Sequence, residues 1–144
     1  MRRFERGSGS VSHTMTDEGI VEARMSGLIV PSNAGALSAL VLDVVAEQGA
    51  VGVLSSLQTA MLALPPIDPR HYAYVPSAMR GVPVAVLVSP QQLHLYLDVA
   101  QAAAAAGAIR RAFLSREEAQ DWLREQARAL AANRVWRQGH RSLP

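Results

Sequence analysis

The 144-residue chain contains no cysteine and no lysine. Without cysteine it can have no disulfide, no thiolate-bound zinc, no iron–sulfur cluster and no cysteine nucleophile. Only 18% of its residues are charged and 49% are hydrophobic, which is the balance of a folded chain rather than a disordered one. The length suits one domain, which can bury about two thirds of its unfolded surface.

Long hydrophobic runs are missing as well. The longest strongly apolar stretch, Ala36 to Ala46, is interrupted by Ser38 and Asp43. It is far shorter than the roughly 20 residues that a membrane span needs. The first ten residues carry charges with no apolar run behind them, so no secretory signal is visible. We therefore predict a cytoplasmic protein without a membrane span.

Basic charge is concentrated near the carboxyl end. All 14 basic residues are arginine, and eight of them lie with four acids between Arg110 and Pro144. The first 109 residues hold six arginines and eight acids. A nucleic-acid-binding protein usually spreads a basic stripe over its folded surface. The sequence therefore predicts no nucleic-acid partner and places the positive charge on a last helix and its tail.

The amino-terminal region predicts a β-hairpin. Apolar and polar residues alternate from Val11 to Thr16, Asp17-Glu18-Gly19 supplies a turn, and a second strand follows over Ile20 to Met25. Ser26-Gly27 is expected to end that strand. Residues 1–9 are predicted to be a disordered tail, and the hairpin is predicted to form one edge of the sheet.

Helices are predicted from apolar spacing and capping residues. A first helix opens after Pro31, with Ser32 or Asn33 as its N-cap, and ends at Gly49. One or two helical turns are expected over Leu57 to Leu64. Two further helices begin with capping boxes, which are Ser89-Pro90-Gln91-Gln92 and Ser115-Arg116-Glu117-Glu118.

Short apolar runs between these helices predict buried strands. They are Ala50–Leu54, Val82–Val88 and Ile109–Leu114. Strands that alternate with helices indicate an α/β fold, here a mixed, mostly parallel sheet with an amino-terminal edge hairpin and about four helices. We expect one α/β domain over residues 10–133, followed by a basic tail over residues 134–144.

Three stretches of the sequence resemble the STAS-like (anti-sigma-factor-antagonist-like) fold and its bacterial relatives. They are Gly19–Gly27, Pro83–Val88 and Arg110–Leu123, in which a strand with an aromatic residue leads through a capped turn to an acidic helix start and Trp-Leu. The resemblance covers residues 10 to 130 and implies a regulatory module that binds other proteins.

The resemblance also implies a phosphorylation site. Regulatory members of that family carry an Asp-Ser-Ser-Gly motif whose serine is phosphorylated by a partner kinase. The nearest stretch here is Val53-Leu54-Ser55-Ser56-Leu57-Gln58, which lacks the aspartate and the glycine. Ser55 and Ser56 are therefore the candidates for such a site.

Three serines follow predicted parallel strands, so they should lie at one end of the sheet. These are Ser56, Ser89 and Ser115. Helix N-termini at that end would suit an anion. The simpler interpretation is that Ser89 and Ser115 are N-caps, each contributing about 1 kcal/mol.

No catalytic or metal site is predicted. The four histidines, His13, His71, His94 and His140, have no metal-ligand spacing. Ser56, His71 and Asp68 could form a Ser–His–Asp trio on paper, but no nucleophile-elbow sequence frames the serine. We therefore predict no hydrolase activity, no metal and no cofactor.

Two aromatic segments are candidate partner surfaces. Tyr72 and Tyr74 lie in a proline-rich loop, where they either cover the sheet or meet a partner. Trp136 lies in the basic tail, which is either solvated or in contact with an acidic partner. A homodimer through the hairpin edge or the tyrosine loop is the expected assembly.

The sequence thus favours a non-enzymatic binding or regulatory module acting through protein–protein contacts. The partner itself is unknown. The alternative is a carrier of a small apolar or anionic ligand at the carboxyl end of the sheet.

Overall fold

The computed structural model of the chain describes residues 2–63 and 81–140. Its strands are β1 Arg2–Arg6, β2 Gly9–Met15, β3 Ile20–Ile29, β4 Gly52–Ser56, β5 Ala60–Leu62, β6 Val84–Leu87 and β7 Arg110–Phe113. The helices in these two ranges are α1 Pro31–Gln48, α2 Leu93–Ala105 and α3 Arg116–His140. No described helix is both long and apolar enough to cross a membrane.

The strands form one mixed sheet in the order β1-β2-β3-β4-β6-β7, and β5 pairs with β3 beyond the end of β4. We call β1, β2 and β3, which pair antiparallel, the hairpin half. The strands β4, β6 and β7, which run parallel to one another and to β3, are the parallel half. The predicted class, an α/β fold with a mostly parallel core, is confirmed.

The amino terminus differs from the prediction of a disordered tail over residues 1–9. Residues Arg2–Arg6 form β1, which pairs antiparallel with β2 from Arg2 opposite His13 to Arg6 opposite Gly9. The sheet edge is therefore β1 rather than the predicted hairpin. The Phe4 ring stacks on His13 at 5.8 Å between centroids, and this cross-strand contact fixes the short strand.

The second hairpin strand also continues past its predicted end. β3 runs through Ser26-Gly27 to Ile29, because Gly27 adopts a positive φ of 76° that lets the strand pass close to β2. A β-carbon at Gly27 would stand 2.2 Å from the Ser8 carbonyl oxygen. Glycine at this position is therefore a requirement of the strand and not a break in it.

The sequence predicts helical turns over Leu57 to Leu64, and the extended end of β3 explains why residues 57–63, the described part of that range, hold none. β4 pairs with β3 up to Ser56 opposite Arg24, and β5 resumes the pairing with Ala60 opposite Gly27. One extra residue lies between the two registers. The region is thus an interrupted strand, and the described ranges hold three helices rather than about four.

The N-cap of the first helix lies two or three residues earlier than predicted. Val30 is the N-cap and Pro31 occupies the first turn, so neither Ser32 nor Asn33 caps the helix. The Asn33 side chain instead accepts a hydrogen bond from Val30 N at 2.9 Å. At its other end the helix stops at Gly49, as predicted, with a left-handed φ of 61°.

Helices cover the sheet unequally. α1 and α2 pack on one face, over a core that includes Val21, Val53 and Val86. α3 packs on the opposite face through Ala119 and Leu123, over the parallel half and over Ile20 at the start of β3. Beyond Ile20 and Glu22, no helix of the described ranges lies over this face of the hairpin half.

The last helix is longer than predicted. Its backbone stays helical through His140, whereas the sequence placed a tail from residue 134. The apolar spacing that marks the helix fades after Leu130, but no proline follows before His140 to stop the helix. Ser115 accepts a hydrogen bond from Glu118 N at the helix start, as the capping box predicts.

Candidate functional site

The predicted serines do share one end of the sheet. Ser56 is in register with Leu87, and Leu87 with Phe113, in neighbouring parallel strands. Ser89 and Ser115 come two residues after the last two of these positions. The parallel half therefore brings all three serines to its carboxyl edge.

Two of these serines accept hydrogen bonds from backbone N–H groups at the approach to a helix. Ser115 directly precedes α3 and caps it, whereas Ser89, predicted as the cap of α2, closes the turn before that helix, which begins at Leu93 with Gln92 as its N-cap. The Ser89 hydroxyl accepts a hydrogen bond from Gln92 N at 3.3 Å, and Gln92 Oε1 accepts one from Ser89 N at 2.9 Å. The Ser115 hydroxyl accepts one from Glu118 N at 3.4 Å. Both contacts follow the hydrogen-bond pattern of a capping box, which supports the simpler interpretation fully for Ser115 and in part for Ser89.

Gln92 does more than complete its cap. Its Nε2 donates to Leu57 O at 2.8 Å and to Ala60 O at 3.1 Å. These carbonyls lie in the segment between β4 and β5, where the regular ladder is interrupted. Leu57 O also accepts a hydrogen bond from Ala60 N at 3.0 Å. The Gln92 side chain thus ties the start of α2 to the turn that leads from β4 into β5.

Ser55 and Ser56 point to opposite faces, since side chains alternate along a strand. Ser55 is half-buried on the face covered by α1 and α2, in register with Ala23 and Val86. Ser56 is only 7% exposed on the other face. Its hydroxyl makes no hydrogen bond with another residue of the described ranges. Phosphorylation of either residue stays a prediction.

Several candidates fall outside what the structure describes. Tyr72 and Tyr74 lie outside the described residues, and so do His71 and Asp68 of the paper trio. Trp136 lies on the helical backbone of α3. In ranges 2–63 and 81–140, no three His, Cys, Asp or Glu side chains cluster to hold a metal ion.

A cavity of about 400 Å³ lies on the uncovered face of the hairpin half, next to the start of α3. Hydroxyl and guanidinium side chains dominate its walls. The polar side chains of this face that line it are Arg3, Ser10, Ser12, Thr14, Glu22, Arg24, Ser26, Ser56 and Arg116. We call this surface the open face.

Strand register places an alternating row across the open face. Arg3 on β1 pairs with Ser12 on β2, Ser12 with Arg24 on β3, and Arg24 with Ser56 on β4. Directly paired residues share one face of a sheet. These four side chains, the Arg–Ser row, therefore stand side by side on four consecutive strands.

The single carboxylate in the lining is already paired. Glu22 Oε2 forms an ion pair with Arg116 Nη2, and Glu22 Oε1 accepts a hydrogen bond from Gln120 Nε2 at 3.5 Å. Both partners lie in the first turns of α3. No acid of the described ranges pairs with Arg24, which is exposed. The open face thus carries an excess of positive charge.

Arg3 is held more loosely. Its Nη2 donates to the Ser10 hydroxyl at 3.3 Å, and its Nε lies 3.6 Å from Glu5 Oε1. Both side chains of the ion pair are more than half exposed, so the pair contributes little to stability. The guanidinium can turn toward the cavity at small cost.

Another arginine, Arg110, lies half-buried on the opposite face of the sheet. Burial lowers the pKa of Arg110, and the nearby Tyr96 acts weakly in the other direction. The Arg110 Nε has no hydrogen-bond partner among the described residues. This cation lies under α2, apart from the open face.

Sequence reasoning found Ser56 but missed most of the open face. One signal was present, since Ser12 and Thr14 alternate with the apolar residues of β2 and mark a polar face. The sequence does not indicate that Arg3 belongs to the open face, because it predicts a disordered tail over residues 1–9. Arg24 and Ser56 join the row only through strand pairing between distant segments.

The comparisons with known proteins support the fold alone. No family model matches the chain, and no curated protein matches its sequence. The chain is similar in structure to an anti-sigma factor antagonist from Mycobacterium paratuberculosis, with a TM-score of 0.54 and 13% identity. The match covers 79% of this chain and 94% of that one. The chain therefore has the STAS-like fold that its sequence resembles.

Proposed function

We propose that the chain is a non-enzymatic regulatory module that binds a protein partner through the open face. The observation that carries this proposal is an arginine- and hydroxyl-lined cavity on the part of the sheet that α3 leaves uncovered. The fold supports it, since a protein with this fold is an anti-sigma factor antagonist, a protein that acts on other proteins.

The chemistry of the open face favours binding over catalysis. General acid–base catalysis needs a side chain that can give or take a proton near neutral pH. His13 also borders the cavity, but its ring stacks on Phe4 on the other face of the sheet. The side chains of the open face offer hydroxyls, guanidinium groups and one carboxylate, and Arg116 and Gln120 already engage that carboxylate. Guanidinium groups and hydroxyls are instead well suited to bind acidic groups.

An acidic partner surface fits this face best. Arg3, Arg24 and Arg116 face a single carboxylate in the lining, so positive charge prevails there. Complementary charge speeds association and selects among partners. The polar lining also favours the anionic over the apolar version of the ligand-carrier alternative.

Site-specific photo-crosslinking tests the proposal. A photoreactive amino acid at Thr14, which is exposed in the lining, should give one discrete protein adduct in the native cells. The same group at Gln48, exposed at the end of α1, serves as the control. The Thr14 adduct should disappear in an Arg24→Glu background.

The proposal is wrong if Thr14 gives no protein adduct, or the same adducts as Gln48. It is equally wrong if the adduct survives Arg24→Glu unchanged. Circular dichroism of each variant shows whether the fold is intact.

A second copy of the chain is also a fitting partner, through a different surface. β1 is the last strand on its side of the sheet, and such edges invite pairing. Two copies of β1 paired antiparallel about Phe4 would set Arg3 opposite Glu5 twice. The same register sets Arg2 opposite Arg6, so we expect a weak dimer.

A charge swap tests this dimer. Light scattering should give a mass above the 15.4 kDa of one chain at high concentration. Glu5→Arg should lower that mass, and adding Arg3→Glu should restore it. A mass of one chain at all concentrations rules the dimer out, and a dimer indifferent to Glu5→Arg places the contact elsewhere.

A further inference from the structure

We infer that the open face binds a phosphate monoester, held between Arg3 and Arg24. The inference rests on the proposed function in that it names the group this surface recognises. The observations that carry it are the Arg–Ser row, the Ser56 hydroxyl that lines the cavity and the paired state of Glu22.

The spacing of the Arg–Ser row suits a single small anion. Arg3 and Arg24 lie on alternate strands, with Ser12 between them in register. Alternate strands are about 10 Å apart, since neighbouring strands are spaced about 4.8 Å. Two arginine side chains that lean toward each other can therefore meet over Ser12, which supplies a hydroxyl below them.

Ser56 extends the Arg–Ser row from β3 onto β4. Its side chain lines the cavity although the residue is 7% exposed, and its hydroxyl has no partner in the described ranges. A hydroxyl can both donate and accept a hydrogen bond, and here it faces the cavity rather than another side chain. A ligand oxygen in the cavity would give this hydroxyl an acceptor.

The charge balance favours an anion over a cation or a neutral ligand. Glu22 would attract a cation, but Arg116 and Gln120 occupy its two oxygens. Arg24 has no acidic partner among the described residues. The available groups of the row are therefore hydrogen-bond donors.

The number of donors favours phosphate over carboxylate. A carboxylate is satisfied by one guanidinium fork. The row offers two guanidinium groups and two hydroxyls, on four strands. A phosphate monoester carries close to two negative charges and three acceptor oxygens, which matches this set. Arg3 would exchange its contacts with Glu5 and Ser10 for the phosphate.

Titration with phenyl phosphate tests the inference on the intact chain. Amide resonances of β1 to β4 should shift and saturate in NMR spectra. Arg24→Gln should weaken binding about tenfold or more, as expected for lost hydrogen bonds to a charged group. Ser56→Ala, which removes only one hydroxyl, should weaken it about threefold to tenfold.

Arg128→Gln is the matched control. It removes the same charge from an exposed position on α3, where the side chain contacts only the helix backbone at Arg124 O. It should leave the affinity unchanged. If Arg128→Gln weakens binding as much as Arg24→Gln, or if phenyl phosphate causes no saturable shifts, the inference is wrong.

Two further probes identify the anion and its source. Benzoate carries a carboxylate on the same ring, and binding as tight as that of phenyl phosphate would overturn the preference for phosphate. A phosphoserine peptide that binds more than tenfold tighter than phenyl phosphate would support a phosphorylated protein as the source. Equal affinity would support a free phosphate ester.

The phenyl phosphate titration and the crosslinking experiment test different claims. An adduct at Thr14 without phosphate binding would reject this inference and keep the proposed function. Phosphate binding without any adduct would keep the inference and reject the protein partner.

Discussion

The two halves of the sheet are stabilised in different ways. In the parallel half, all four residues of β6 are buried, because α1 and α2 cover one face and α3 the other. In the hairpin half, one face packs on the core through Val11 and Ala23, and the other presents hydroxyls and arginines to the cavity. Apolar burial dominates the first half, and polar contacts contribute more to the second.

This difference assigns stability mainly to the parallel half and the proposed recognition of a partner to the hairpin half. A strand buried on both faces cannot present side chains to a partner, whereas a strand covered on one face can. The proposed binding surface lies on the half of the sheet that has the smaller share of the core. Substitutions in the two halves should therefore have different consequences.

The largest expected effect lies in the contact between α3 and the parallel half. Leu123 is 1% exposed, and Leu123→Ala should lower the free energy of unfolding by about 3 kcal/mol. Urea denaturation measures it, with Leu114→Ala as control, since Leu114 is 48% exposed. Equal effects of the two substitutions would contradict the packing described.

Trp122 should contribute less than its neighbour Leu123. Its side chain is only half-buried, and its ring lies 5.6 Å from that of Phe113. We expect Trp122→Ala to cost about 1–2 kcal/mol, the value of a partly buried aromatic pair. A cost above that of Leu123→Ala, measured in the same urea titration, would place the anchor at Trp122.

In the hairpin half, the largest loss of stability is expected from a substitution of Asn33. This residue is 4% exposed, and its Nδ2 donates to Leu28 O at 3.0 Å and to Arg6 O at 3.1 Å. Asn33→Ala removes these hydrogen bonds and the one from Val30 N, and should cost about 2 kcal/mol. Hydrogen exchange should quicken in β1 and at the start of α1, but not in β6.

Ser32→Ala is the control for that substitution, because Ser32 is exposed and adjacent. If both variants exchange alike, or if Asn33→Ala opens β6 equally, the two halves do not differ in the way described.

Within the parallel half, Arg110 is an exception to stabilisation by apolar burial. Burial lowers its pKa, so folding disfavours the charged form, and the guanidinium remains charged at ordinary pH. Arg110→Met should therefore raise the free energy of unfolding, by about 1 kcal/mol. The exposed neighbour Arg111, whose guanidinium lies 5.2 Å from the Phe113 ring centroid, is the control. Arg111→Met should give no gain in the same thermal or urea measurement.

The smallest effect is expected at the ion pair between Arg124 and Glu18. The Arg124 Nε lies 3.2 Å from Glu18 Oε2, and both side chains are well exposed. Solvent and salt screen such pairs. Arg124→Gln should therefore leave the urea midpoint unchanged, and a clear shift would show that α3 also depends on the hairpin turn.

Local signals were sufficient for much of the parallel half. The apolar run of β6, the capping box of Ser89 with Gln92 and the stop at Gly49 each lie within a few residues of sequence. The missed strands β1 and β5 depend instead on partners elsewhere, in β2 and β3. Short segments such as Arg2–Arg6 have little strand preference of their own, so tertiary pairing decides their structure.

The same reasoning explains what was missed at the site. The sequence shows the hydroxyls of β2, because polar and apolar residues alternate there. It also shows Ser56, because this serine follows a predicted strand. The Arg–Ser row itself exists only once four strands are in register, and no spacing along the chain reveals it.

The position of β3 also has a consequence for the order of folding. Its hairpin with β2 closes through a turn of a few residues, and hairpins form in about 1–10 μs. Its parallel pairing with β4 must wait for the crossover through α1, and such long-range contacts form slowly. A two-stranded hairpin is marginal in water by itself. β3 is thus paired early on one side and stabilised only later, when the crossover brings β4 to the other.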